Sequence, residues 1–108
     1  MAKPPVLNQN ELEQSLVQLN AEALDPWVVA DGKLSRRYEF KSFIDAFGFM
    51  SQAAIVCEVM DHHPRWVNVW NVVEIDLLTH RSGGITHLDF ELAAKMEPLA
   101  KKLLAIPG

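Results

Sequence analysis

The sequence predicts an α+β fold, a four-stranded antiparallel sheet with three helices packed on one face. Three observations carry this. Apolar residues recur at three- and four-residue spacing in three stretches, each opened by a cap-like pair. Between those stretches lie two pairs of β-prone runs, and each pair is joined by a turn too short for a parallel crossover. The 108 residues, 49% of them apolar, suffice for one such domain and not for two, so 1–108 is read as a single domain.

Pro4 and Pro5 make residues 1 to 7 a loose arm. Asn8 with Glu11 three places on is a capping box, and Leu12, Leu16 and Leu19 follow at helical spacing, so a helix is expected near residues 9 to 20. Asp25-Pro26 ends that region. Trp27, Val28 and Val29 then form a short β-prone run, with Trp27 assigned to the core. Asp31-Gly32 supplies the positive φ of a tight hairpin, after which Leu34, Arg36, Tyr38 and Phe40 alternate with polar neighbours.

Ser42 with Asp45 is a second cap-like pair, and Phe43, Phe47, Met50, Ala54 and Cys57 repeat along one helical face. Ile44, Ile55 and Val59 are apolar as well, which predicts a helix buried on more than one side. Gly48 lowers its helix propensity by ~1 kcal/mol relative to alanine. Pro64 cannot continue the helix and biases His63 away from helical dihedrals, so His62-His63 lie at the helix exit, on a loop. Val67, Val69 and Trp70 are β-prone, Asn71 turns the chain, and Val73, Ile75, Leu77 and Thr79 alternate with Glu74, Asp76, Leu78 and His80. By that parity His80 points to the face opposite the apolar set. Gly83-Gly84 is a turn, and Thr86 with Asp89 caps a last helix carrying Phe90, Ala93, Met96 and Leu103, which Pro98 should kink or split.

A formal net charge of −4 with no lysine or arginine block disfavours a phosphate-backbone partner, so no nucleic acid is expected. The longest unbroken apolar run, Ala53 to Cys57, is far short of a membrane span, and no membrane partner is expected. The lone cysteine, Cys57, excludes an intramolecular disulfide and sits where a small hydrophobe would pack. Together these predict a soluble, cytoplasmic protein.

The chemistry concentrates in the second half. All four histidines (His62, His63, His80 and His87) lie there, and Glu58, Asp61 and Asp89 put carboxylates near them in sequence. Histidine is the side chain whose ordinary pKa is nearest neutrality, and carboxylates beside imidazoles favour the protonated ring, so this grouping suits proton transfer. Without further context each residue has a plainer reading. A histidine pair at a helix exit complements the helix dipole, His80 is a surface residue, His87 is solvated, Asp89 stabilises the start of its helix, and Trp66 and Trp70 are core or subunit-contact aromatics.

The spaced pattern Glu58, Asp61-His62-His63-Pro64, Trp66, Asn68-Val69-Trp70, Thr79-His80, Gly83-Gly84, Thr86, Asp89 and Leu92-Ala93 resembles the pterin-4a-carbinolamine dehydratases, also described as dimerisation cofactors of a homeodomain transcription factor. Trp27 and the run Leu34 to Phe40 extend the resemblance over nearly the whole chain. It implies dehydration of 4a-hydroxytetrahydrobiopterin to the quinonoid dihydropterin, recycling the cofactor of aromatic amino-acid hydroxylases, with no metal and no bound cofactor. The resemblance makes His62, His63 and His80 catalytic, and assigns substrate contact or support to Glu58, Asp61, Trp66, Trp70, Thr79 and Asp89. It implies a homodimer or homotetramer, a pterin substrate, and an aromatic amino-acid hydroxylase as pathway partner. Two positions depart from the pattern: tryptophan stands at 70 where tyrosine is frequent, and leucine at 88 where some members carry arginine.

Two other readings stand beside the enzyme. One is a non-enzymatic oligomeric interaction module of the dimerisation-cofactor or coactivator type, favoured by the apolar breadth of the 43 to 59 helix. The other is a histidine-rich metal-binding domain using His62, His63, His80 and a carboxylate, weakened because adjacent histidines rarely converge on one ion.

Overall fold

The computed structural model describes residues 3–21, 23 and 25–105. Its elements are α1 (Gln9–Leu19), β1 (Val28–Ala30), β2 (Lys33–Glu39), α2 (Phe43–Met60), β3 (Arg65–Val69), β4 (Val72–Leu77) and α3 (His87–Lys101), with a 3₁₀ turn at His80–Ser82. The sheet is antiparallel in the order β1-β2-β4-β3, and the helices pack against it. This is the expected α+β architecture.

Local chemistry starts each element where the sequence placed it. Asn8 Oδ1 accepts from the Glu11 N–H and Glu11 Oε1 accepts from the Asn8 N–H, closing a reciprocal cap on α1. Asp31 and Gly32 take φ of 52° and 71° between β1 and β2, the hairpin turn expected there. Ser42 Oγ caps α2 through the Asp45 N–H at 3.1 Å.

Register places Leu34 opposite Leu77, Arg36 opposite Ile75, and Tyr38 opposite Val73 on the face turned towards the helices. Phe49 of α2 fills the gap beneath them, with its ring centroid 5.1 Å from Phe40 and 5.3 Å from Tyr38. Burying a side chain of that size contributes about 1.5–3 kcal/mol. Leu92, Ala93, Met96 and Ala100 of α3 complete the core, and Leu12, Leu16 and Leu19 of α1 pack on its margin. At one end Glu97 Oε1 accepts from Trp27 Nε1 (2.6 Å), Tyr38 Oη (2.5 Å) and Arg36 Nε (3.3 Å), while the Arg36 guanidinium lies 4.1 Å over the Tyr38 ring. Burial first, then the Glu97 charge, pushes the Tyr38 phenol well above its ordinary value.

α2 departs from expectation. The buried stripe is Ala46, Phe49, Ala53 and Cys57, with Met50, Val56 and Met60 beside it. Phe43, Phe47 and Ala54, assigned to the core face, lie outside. The helix is apolar nearly all round, so periodicity could not select a face. Packing did, and it fully buries the small Ala46 and Ala53 beside Phe49. Nor is the helix buried on a second side within the chain, since Ile44, Ile55 and Val59 are 79%, 68% and 82% exposed. Length and composition alone would let this helix of mean hydropathy 1.4 cross a membrane, but its inner stripe is part of the core.

Three smaller differences follow from the ends of elements. β4 stops at Leu77 and His80 opens a 3₁₀ turn, so strand parity does not set its direction. α3 is not split by Pro98 and runs unbroken through it, while Leu103 lies beyond its end. Of the arm read over residues 1 to 7, Met1 and Ala2 lie outside the described residues. Pro4 and Leu7 are hydrogen-bonded to Ser82 and Ile85.

Candidate active site

The exit of α2 is shaped by an aspartate in the left-handed region. Asp61 has φ 51° and ψ 44°, its N–H donates to Glu58 O at 3.2 Å, and the His62 N–H donates to Cys57 O at 3.0 Å. This is a Schellman ending, normally built on glycine, and aspartate tolerates it at a cost of roughly 1–2 kcal/mol. It turns His62 inwards, to 8% exposure, and leaves His63 outside, where Nε2 lies 2.9 Å from Glu58 Oε1.

α3 begins opposite that exit. Its capping box uses Thr86 and Asp89, and Asp89 is fully buried. Asp89 Oδ2 accepts from the Thr86 N–H (2.9 Å) and from Thr79 Oγ1 (2.8 Å), while Oδ1 lies 2.6 Å from His62 Nε2. A carboxylate surrounded by donors can only accept, so His62 carries a proton on Nε2. Because the Thr79 proton goes to Asp89, Thr86 Oγ1 must donate across the 2.7 Å gap to Thr79 Oγ1. Every donor in this buried set has an acceptor. Among the described residues nothing else bonds the His62 ring, leaving Nδ1 for a ligand.

The third imidazole arrives from the sheet. Thr79 pairs with Gly84 in an isolated bridge, and the 3₁₀ turn from His80 to Ser82 lies within that closed loop. A cavity of about 230 Å³ is lined by Asp61, His62, His63, Leu78, Thr79, His80 and Arg81. The structure thus brings His62, His63 and His80 to one open hollow with Asp61 and Thr79, and Asp89 stands directly behind His62. A larger hollow of about 430 Å³ on the open sheet face, beside Ser35 and Arg37, contains no histidine.

Other residues singled out from the sequence lie further off. Glu58 reaches the group only through His63. Trp66 shares the face of its partner Ile75 and is half-buried against the core. Trp70, exposed and with φ 49°, sits at the β3–β4 turn, the opposite end of that hairpin from His63. The whole of β3, five residues spanning about 16 Å, lies between them. Neither tryptophan lines the histidine cavity of its own chain. Asp61 forms no hydrogen bond to an imidazole among the described residues, and among them no three His, Cys, Asp or Glu side chains group as metal ligands.

Residues 5–99 match the family model described as pterin 4 alpha carbinolamine dehydratase. This chain belongs to the pterin-4a-carbinolamine dehydratase family. The family is one of hydro-lyases. A relative from Solibacter usitatus that carries the provisional name pterin-4-alpha-carbinolamine dehydratase is 50% identical over 87% of this chain and 94% of its own length. One from Chelativorans sp., provisionally named the same way, is 46% identical over 89% and 95%. The crystal structure of a transcriptional coactivator/pterin dehydratase from Brucella melitensis superposes with a TM-score of 0.77 at 41% identity, over 88% of this chain and 98% of that one. A pterin dehydratase-like RuBisCO assembly factor of the α-carboxysome shares the fold, with a TM-score of 0.58 at 23% identity over 68% of this chain and 88% of its own.

In this dehydratase-family chain, Leu78 and Arg81 line the candidate site and Thr86 supports it, and none of the three was given a site role from the sequence. For Thr86 a signal existed. The capping box that places it at the start of α3 also aims its backbone N–H at Asp89, and it is fully buried. For Leu78 and Arg81 there was none, because both follow from where β4 ends.

Proposed function

We propose that this chain dehydrates a 4a-hydroxytetrahydropterin to the quinonoid dihydropterin by metal-free acid/base catalysis. The observation that carries the reading is His62, fixed by Asp89 at 2.6 Å, in one hollow with His63 and His80. The reaction breaks the bond between C4a and its hydroxyl oxygen. One proton must reach that leaving oxygen and another must leave the adjacent ring nitrogen. His62 and His80 flank the reacting carbon and exchange those protons, and His63 holds the ring. Positioned groups of this kind contribute ~10²- to 10⁴-fold. Asp89 acts through His62, keeping its proton on Nε2 and supporting the imidazolium when Nδ1 takes up a second one.

The substrate is the form in which an aromatic amino-acid hydroxylase leaves its pterin, and dehydration is a step in recycling that cofactor, in the cytoplasm. The protein acts as a homodimer or homotetramer, and the exposed stripe Ile44, Phe47, Ile55 and Val59 on α2 supports a contact between copies. That same stripe favours a second role as an interaction module, which is compatible with catalysis because none of its residues lines the histidine hollow.

The test is the decay rate of enzymatically generated 4a-hydroxypterin with and without the protein. Acceleration that is lost in His62→Ala and His80→Ala is expected. Decay no faster than in buffer would overturn the enzymatic reading.

A further inference from the structure

The three imidazoles are not held alike. His62 is bonded to Asp89 and His63 to Glu58, but the His80 ring has no hydrogen-bond partner among the described residues. Its position therefore depends on the backbone of the turn that bears it. That turn is fixed from two sides. From within, Thr79 is tied through its hydroxyl to Asp89 and Thr86, and its N–H donates to Gly84 O at 3.1 Å. From outside, the segment before α1 crosses it. Ser82 Oγ donates to Pro4 O at 2.6 Å, and the Leu7 N–H donates to Ile85 O at 2.9 Å. Between these bonds Val6 lies flat on Gly84, so closely that a Cβ there would come within 2.8 Å and 3.1 Å of its two methyl carbons.

We infer that Pro4 to Leu7 form a strap that positions His80, with Val6 and Ser82 as positioning residues for the acid/base chemistry. The inference rests on the catalytic reading of His80 given above. Val6 is about half exposed, so its contact with Gly84 adds little to the core and acts chiefly on the turn. Gly84 is needed because only a residue without a side chain lets the strap lie down.

Val6→Ala and Ser82→Ala are to be compared with the full chain by steady-state kinetics on 4a-hydroxypterin and by NMR of the imidazole rings. The expected result is a fall in kcat of about tenfold, part of what a positioned acid or base supplies, with KM within about twofold. The His80 resonances shift or broaden while those of His62 stay in place. Val6→Thr, which keeps the branched shape, restores both. Gly84→Ala lifts the strap and gives the Val6→Ala phenotype, and combining the two adds little. Unmoved His80 resonances in both Val6→Ala and Ser82→Ala would overturn the strap, even if turnover fell. Full turnover in His80→Ala would instead overturn the catalytic reading of that residue, independently of the NMR result.

Discussion

Asp89 holds His62 at 2.6 Å through one carboxylate oxygen and caps its own helix through the other, 2.9 Å from the Thr86 N–H. The two jobs that a carboxylate at this position could do are done at once. Asp89→Asn cannot do both, because its amide nitrogen must face either His62 or the two donors on the Thr side. Turnover is expected to fall at least ~10-fold and stability by ~1–3 kcal/mol. Initial rates and urea unfolding check both.

Thr79→Val keeps the shape and removes one donor to Asp89, while leaving the Thr86 hydroxyl without its acceptor. An orphaned buried hydroxyl costs about 1–3 kcal/mol. The His62 to Asp89 bond survives, so turnover should fall less than in Asp89→Asn. The ranking of the two variants by rate, at similar losses in urea midpoint, is the measurement.

Glu97 accepts from Trp27, Tyr38 and Arg36 through one oxygen. Glu97→Ala strands a nearly buried guanidinium and two neutral donors, and should cost about 3–5 kcal/mol. Glu97→Gln, which keeps an acceptor, should cost clearly less. Thermal unfolding of the two side by side tests the order.

Burial pushes the Cys57 thiol from an ordinary 9.0 up to about 11, so the folded state favours the neutral form. The unfolded thiol loses its proton first. Stability from this group is therefore complete below about pH 9 and declines as pH rises towards 11. In Cys57→Ala the fall in unfolding free energy over that interval should be shallower than in the parent, as read by denaturant titration at each pH.

If α2 joins copies through its outer stripe, Ile55→Asp with Val59→Lys should reduce the assembly to a smaller species that retains its circular dichroism. Light scattering on the eluting peak gives the mass. An unchanged mass would move the contact elsewhere.

Much of this was legible in the residues. The caps at Asn8, Ser42 and Thr86 and the turn at Asp31-Gly32 act within a few positions, so local chemistry dictates them. The histidine pair at the α2 exit was readable from Pro64 for the same reason. What was not legible depends on three-dimensional competition. The buried face of α2 was hidden because nearly every face is apolar, and the direction of His80 because β4 ends at Leu77, ahead of the alternation. Trp66 and Trp70 look alike in sequence, each open to a core, subunit-contact or substrate-side position. Their strand positions place one against the core and the other at the distant turn.

The contacts of Pro4 and Leu7 with the loop bearing His80 have a practical side. An affinity handle fused ahead of Met1 would end only three residues before Pro4, a hydrogen-bonding partner of that loop. Kinetic constants from such a fusion would report the handle as well as the enzyme. Purification through a handle beyond Gly108, or its removal before assay, keeps the two apart.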